Sequence, residues 1–173
     1  IHRAAAVITF LSPGLRFFHQ GQFEGRKKRI SPHLVRGPLE AVDKQLVHFY
    51  ERLLEVLRQP VLREGQWQLL ECTPGWNGNW TNDCFVVYAW HSASCDSLVV
   101  AVNYAANQSQ CHVRLPLADL AGKKATVVLF WAPDRWMAEG ALADLAIEAA
   151  AFSAKGAGFV GVRDCIRPKP AAG

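Results

Sequence analysis

The sequence predicts an α+β chain in two parts, a helix–strand–helix unit over residues 1–60 and an all-β antiparallel sandwich over residues 61–173. Three observations predict this. One long stretch, Leu39 to Arg58, carries apolar residues at helical spacing. Beyond Pro60 the chain breaks into short β-like runs separated by Gly, Asn, Asp and Pro turns. Half of the 173 residues are hydrophobic and 20% are charged, a balance that supports a buried core and argues against wholesale disorder.

Arg3 to Leu11 is apolar at helical spacing and is stopped by Ser12-Pro13-Gly14, because proline lacks the amide a helix needs. The chain opens at Ile1 in the middle of this pattern, which leads us to expect further residues before it. Leu15 to His19 is short and aromatic and is bounded by turn formers, so it reads as a buried strand. A loop follows from Gly21 to Gly37, containing the basic run Arg26-Lys27-Lys28-Arg29. In the Leu39–Arg58 helix, Leu39, Val42, Leu46, Phe49, Tyr50, Leu53, Leu54 and Leu57 share one face. Pro38 suits its first position, Glu40 and Asp43 suit the positive end of its dipole, and Arg52 and Arg58 suit the negative end. Pro60 ends it.

Seven strands are predicted after that: Trp67–Thr73, Cys84–His91, Ser97–Tyr104, Gln110–Leu115, Ala125–Trp131, Leu142–Glu148 and Gly158–Val162. Cys84–His91 and Ser97–Tyr104 are the richest in Val, Tyr, Trp and Leu. Ala138 to Ala154 is so rich in Ala, Leu and Glu that propensity alone favours helix, and strand is read there from the flanking β pattern.

The net charge of +4 and pI near 8.9 are too mild to indicate nucleic acid. The apolar run Ala4–Leu11 is far shorter than the roughly 20 residues a membrane helix needs, so no membrane partner is expected. The five cysteines, Cys72, Cys84, Cys95, Cys111 and Cys165, include no C-x-x-C pair. They read as small strand residues in a reducing, cytoplasmic compartment, although one pair could be bridged in the fold. The scattered histidines include no metal-binding pair, and His48 is expected to be half-exposed on its helix. No metal and no cofactor are expected.

The segment Ser12-Pro13-Gly14-Leu15-Arg16-Phe17-Phe18-His19-Gln20-Gly21-Gln22-Phe23-Glu24-Gly25 resembles the eighth barrel strand of the α-amylase family of glycoside hydrolases. Members of that family show a helix, a Pro-Gly turn, an aromatic strand and then a Gly-Gln or Gly-Asp/Glu turn with a further Gly. Downstream, Trp67-Gln68-Leu69-Leu70, the Trp76–Trp80 turn, Phe85–Trp90 and Leu98–Tyr104 followed by Asn107 resemble the family's C-terminal β-sandwich. The likeness weakens after about Trp136. It implies that residues 1–60 are the last β/α unit of a (β/α)8 TIM barrel, with Leu39–Arg58 as its eighth helix, and that residues 61–173 are an amylase domain C-like sandwich. It also implies a parent enzyme acting on α-glucosidic bonds of α-glucans or related oligosaccharides in carbohydrate metabolism, by hydrolysis or transglycosylation.

Retaining glycosidases of this kind place two carboxyl groups roughly 5–5.5 Å apart across the scissile bond. The family carries its catalytic carboxylates on the fourth, fifth and seventh strands, the last after an Asn-His-Asp type segment. No such segment occurs here, so no residue of this chain is assigned as catalytic, and the fragment alone is expected to be inactive. Barrel chemistry takes place at the C-terminal rim of the strands. The rim candidates for substrate binding are therefore His19, Gln20, Gln22, Glu24 and Arg26. Loop polar groups more often bond backbone or water, so a loop-building role ranks ahead of substrate contact. Many family members carry an acidic residue at the position of Gln22, which weakens its assignment further.

Trp76-Asn77-Gly78-Asn79-Trp80 puts two indoles on a turn. Exposed, they would stack on sugars and make the chain a stand-alone glucan-binding sandwich without catalysis. Buried, they would brace the sandwich, and the high average burial of Trp favours that. The basic tetrad reads as a solvated face. Asn79-Trp80-Thr81 and Asn107-Gln108-Ser109 match the glycosylation pattern, which matters only in a eukaryotic secretory setting.

Overall fold

The computed structural model describes residues 2–28, 33, 36–93, 97–107 and 109–113, together with the backbone of the strands at 125–132, 135–136, 141–142, 150–154 and 158–164. The elements run α1 (His2–Leu11), α2 (Lys44–Leu57), α3 (Val61–Glu64), β1 (Gln66–Leu70), β2 (Cys72–Pro74), a 3-10 turn (Thr81–Cys84), β3 (Phe85–His91), β4 (Ser97–Asn103) and β5 (Ser109–Val113). They continue with β6 (Ala125–Ala132), β7 (Arg135–Trp136), β8 (Ala141–Leu142), β9 (Ala150–Ala154) and β10 (Gly158–Asp164). The fold is α+β with antiparallel sheets. The larger sheet has the order β1-β3-β4-β10-β6-β7 with β8 also on β6, and the smaller has the order β2-β5-β9.

Strands β3 and β4 of the larger sheet are covered on both faces. In β3 and β4, Tyr88, Trp90, Leu98, Val100 and Val102 point to one face and Phe85, Val87, Ala89, Val99 and Ala101 to the other, as the two-residue period of a strand requires. The first set packs against Val7, Phe10 and Leu11 of α1, Phe49, Tyr50, Leu53 and Val56 of α2, and Val61 and Leu62 of α3. The second set packs with Leu70 and with Cys111 and Val113 of the smaller sheet. This is why every residue of Ser97–Asn103 is buried and why that strand reads as an unbroken apolar run. Each fully buried Val or Leu contributes about 1.5–3 kcal/mol relative to exposure.

Helix α1 is tied down by side chains far away in sequence. Its last carbonyls have no partner within the helix. Trp90 Nε1 donates to Leu11 O at 2.7 Å, Arg16 Nε to Phe10 O at 2.8 Å, and Ser12 N to Ile8 O at 3.2 Å. One turn earlier, the Tyr88 hydroxyl donates to Val7 O at 3.2 Å.

Several expectations are corrected. Leu15–His19 alternates in exposure as a strand would but forms none, because none of the described strands pairs with it to complete a ladder. The long helix begins at Lys44, not Leu39: the Asp43 carboxylate accepts from Leu46 N at 3.0 Å and caps it there. Pro38 is therefore outside the helix, and Leu39 is 100% exposed. Glu40 accepts from the Lys27 and Lys28 amides at 3.2 and 3.3 Å and does not serve the helix dipole. The predicted strand Trp67–Thr73 is two strands, because at Glu71 the chain leaves the larger sheet for the smaller one.

The other predicted strands agree to within a few residues where described, except that of Leu142–Glu148 only Leu142 is described, in the two-residue β8. Residues 114–115 and 143–148 of two predicted strands lie outside the described residues, as do Arg29, Cys95 and Cys165. Cys72 and Cys84 are free thiols, and Cys111 is buried. His48 is exposed on α2, with Nδ1 3.6 Å from Glu51. Among the described residues, no helix is long and apolar enough to cross a membrane, and no three His, Cys, Asp or Glu side chains gather to hold a metal ion.

Candidate functional site

The rim candidates lie on one tight loop between the segment Leu15–His19 and α2. Gln22 N donates to His19 O at 3.2 Å, Gly25 N to Gln22 O at 3.3 Å and Arg26 N to Gly21 O at 2.9 Å, which coils residues 19–26 into consecutive turns. Gly21 and Gly25 take φ of +83° and +70°, and a Cβ on Gly25 would stand 3.0 Å from Leu46 Cδ2. Only glycine lets the loop press against α2 this closely.

The side chains divide by task. Gln22 is committed on both ends: its Oε1 accepts from His19 N at 3.2 Å and its Nε2 donates to the Tyr50 hydroxyl at 2.9 Å. His19 is exposed, with Nδ1 3.2 Å from Gln20 O, a bond made when that nitrogen carries the proton. Gln20 and Arg26 are exposed, and the Arg26 stem lies over Gly21. Glu24 anchors the loop through its carbonyl, which accepts from Asp43 N at 3.1 Å. His19, Gln20 and Arg26 thus present polar groups to solvent from one loop, while Gln22 holds that loop on α2.

Beneath the loop lies an aromatic cluster. Phe18 stacks on Phe10 with centroids 4.2 Å apart and meets Phe23 edge-on at 5.2 Å, and Phe23 lies 4.9 Å from Tyr50. Phe18 and Arg16 face inward, and Arg16 also donates to Leu62 O at 3.2 Å. By alternation, Leu15 and Phe17 face outward and are 94% and 74% exposed.

Between β2 and the 3-10 turn, Trp76 and Trp80 are 59% and 74% exposed, which corrects the expectation that they brace the sandwich. Their turn is built from other groups. Asn79 is buried, and its Oδ1 accepts from Thr81 N at 2.9 Å and from Thr81 Oγ1 at 2.7 Å.

Two titrating groups are displaced. The Cys72 thiol is held below its ordinary 9.0, chiefly by a hydrogen bond with the Cys111 side chain that favours the thiolate; burial and Asp83 oppose this. Burial pushes the Tyr88 phenol well above its ordinary 10.0.

Sequence reasoning did not single out Arg16 or Tyr50. Arg16 is a lone cation within an aromatic run, and Tyr50 is a polar-tipped ring on an apolar helix face. Both features signal a buried hydrogen-bond role. No protein-family model and no curated protein matches this chain.

Proposed function

We propose that this chain is the C-terminal part of an α-amylase-family glycoside hydrolase that acts on α-glucosidic bonds of α-glucans or related oligosaccharides in the cytoplasm. Residues 1–60 would be the last β/α unit of a (β/α)8 barrel and residues 61–173 its C-terminal β-sandwich. The observation that carries this is the segment Leu15–His19: largely apolar, alternating in exposure, set between two helices in the sequence, and paired with none of the described strands. Its inward side chains are satisfied, whereas Leu15 and Phe17 are left in water. A barrel stave separated from its neighbours has this character, since a barrel strand buries side chains on both faces. The packing of Cys111 and Val113 of the smaller sheet on the larger one supports the sandwich assignment.

The catalytic carboxylates would belong to strands outside these residues. The exposed His19, Gln20 and Arg26 would line the substrate cleft at the rim of strand eight, with Glu24 beside them and Gln22 fixing their loop to the helix. The test is to sequence the coding DNA upstream of Ile1. An open frame carrying an Asn-His-Asp segment shortly before Ile1, preceded by seven strand–helix units, is expected. A frame without them would overturn the proposal.

A further inference from the structure

We infer that the turn Trp76–Trp80 is an accessory binding platform for a neutral polysaccharide chain, remote in sequence from the rim loop and independent of catalysis. The turn keeps its shape without help from its indoles. Asn79 N donates to Trp76 O at 3.1 Å, the buried Asn79 side chain holds Thr81, and Gln110 N donates to Thr81 Oγ1 at 3.0 Å, fastening the turn to β5. Two large apolar rings are nonetheless held in solvent on this rigid base. Trp is otherwise among the residues most consistently withdrawn from water, so an exposed pair on a fixed turn marks a contact surface.

A third exposed ring, Tyr104, flanks the same 3-10 turn, with its amide donating to Cys84 O at 2.9 Å.

The surrounding charge selects the ligand. From Gly65 to Val113 the sequence contains no Lys and no Arg, so nothing there would hold phosphate, sulfate or nucleic acid. The turn itself and the groups that hold it are amide and hydroxyl: Asn77 and Asn79 lie within it, and Asn79, Thr81 and Gln110 are hydrogen-bonded in series, with Asp83 as the one charge between Cys72 and Cys84. Aromatic faces with neutral hydrogen-bonding rims match the apolar faces and hydroxyl edges of pyranose rings. That the sugar is an α-glucan rests on the proposed function; that it is an uncharged sugar rests on this surface alone.

The test is affinity electrophoresis of the full chain in native gels containing soluble starch, hydroxyethyl cellulose or no polysaccharide. Wild type should be retarded by starch, and the W76A/W80A double variant should lose at least about tenfold in apparent affinity, equivalent to about 1.4 kcal/mol. An unchanged thermal midpoint would exclude misfolding as the cause, and W76F/W80F should retain part of the retardation. Retardation by hydroxyethyl cellulose alone, lost in the double variant, would uphold the platform and overturn the α-glucan assignment. No retardation in either gel, or retardation that the double variant keeps, would overturn the inference.

Discussion

Helix α2 and the segment Leu15–His19 both carry apolar residues and lie on either side of the loop of residues 19–26, yet they end differently. The apolar face of α2 finds α1 and the larger sheet, so that Phe49, Tyr50 and Leu53 are all but removed from water. The segment Leu15–His19 finds a partner on one side only. Arg16 and Phe18 are taken up by α1, α3 and the aromatic cluster, and Leu15 and Phe17 are left over. An apolar pattern says what a segment needs. Whether the need is met depends on what the rest of the chain supplies.

Substitutions sharpen the contrast. Phe49→Ala should cost about 3–5 kcal/mol, the range for opening a buried aromatic site, whereas Phe17→Ser should stay within about 0.5 kcal/mol. Urea denaturation midpoints would measure both, and comparable losses would erase the distinction. Trp90→Phe keeps the ring packing but leaves Leu11 O unpaired in the core, so a loss of about 1–3 kcal/mol is expected by the same measurement. Asp43→Ala should cost about 1 kcal/mol through the lost cap, and Pro38→Ala less than about 0.5 kcal/mol because Pro38 lies outside the helix. The reverse order would restore the longer helix.

The sheet side can be probed by pH. Tyr88 ionises at a higher pH folded than unfolded, so its stabilising contribution is complete below pH 10.0 and is lost as pH rises from there through the folded value. Tyr88→Phe should therefore cost about 1 kcal/mol at neutral pH while flattening the alkaline decline in thermal midpoint. A decline as steep as wild type would assign it to other groups. For Cys72 the folded value is lowered, so iodoacetamide labelling of this thiol should reach half-maximal rate below pH 9.0, and Cys111→Ala should move that midpoint upward. Labelling that ignores the Cys111 substitution would break the assignment.

These elements also show how far the sequence could be read. Strands β3, β4 and β10 were legible to within a few residues because apolar runs bounded by turn formers have few other uses. The start of α2 was misplaced because Pro38 and Glu40 form a plausible helix opening, while Asp43, the residue that caps it, resembles an ordinary first-turn acid. The change of sheet at Glu71 carries no Gly or Pro to mark it. The loop candidates were found as a group from their position after an aromatic strand pattern. The division of labour among them was hidden, because Gln22 is defined by Tyr50, 28 positions away. The indoles were misjudged since average Trp burial says nothing about a turn that Asn79 and Thr81 already hold.

The decisive measurement is the release of reducing ends from soluble starch by the purified 173-residue chain, set beside the product of its complete reading frame, which the proposed function requires to be longer. The expected result is no release by the first and ready release by the second. Starch digestion by the 173 residues alone would contradict the assignment of Leu15–His19 as one stave of a barrel completed elsewhere.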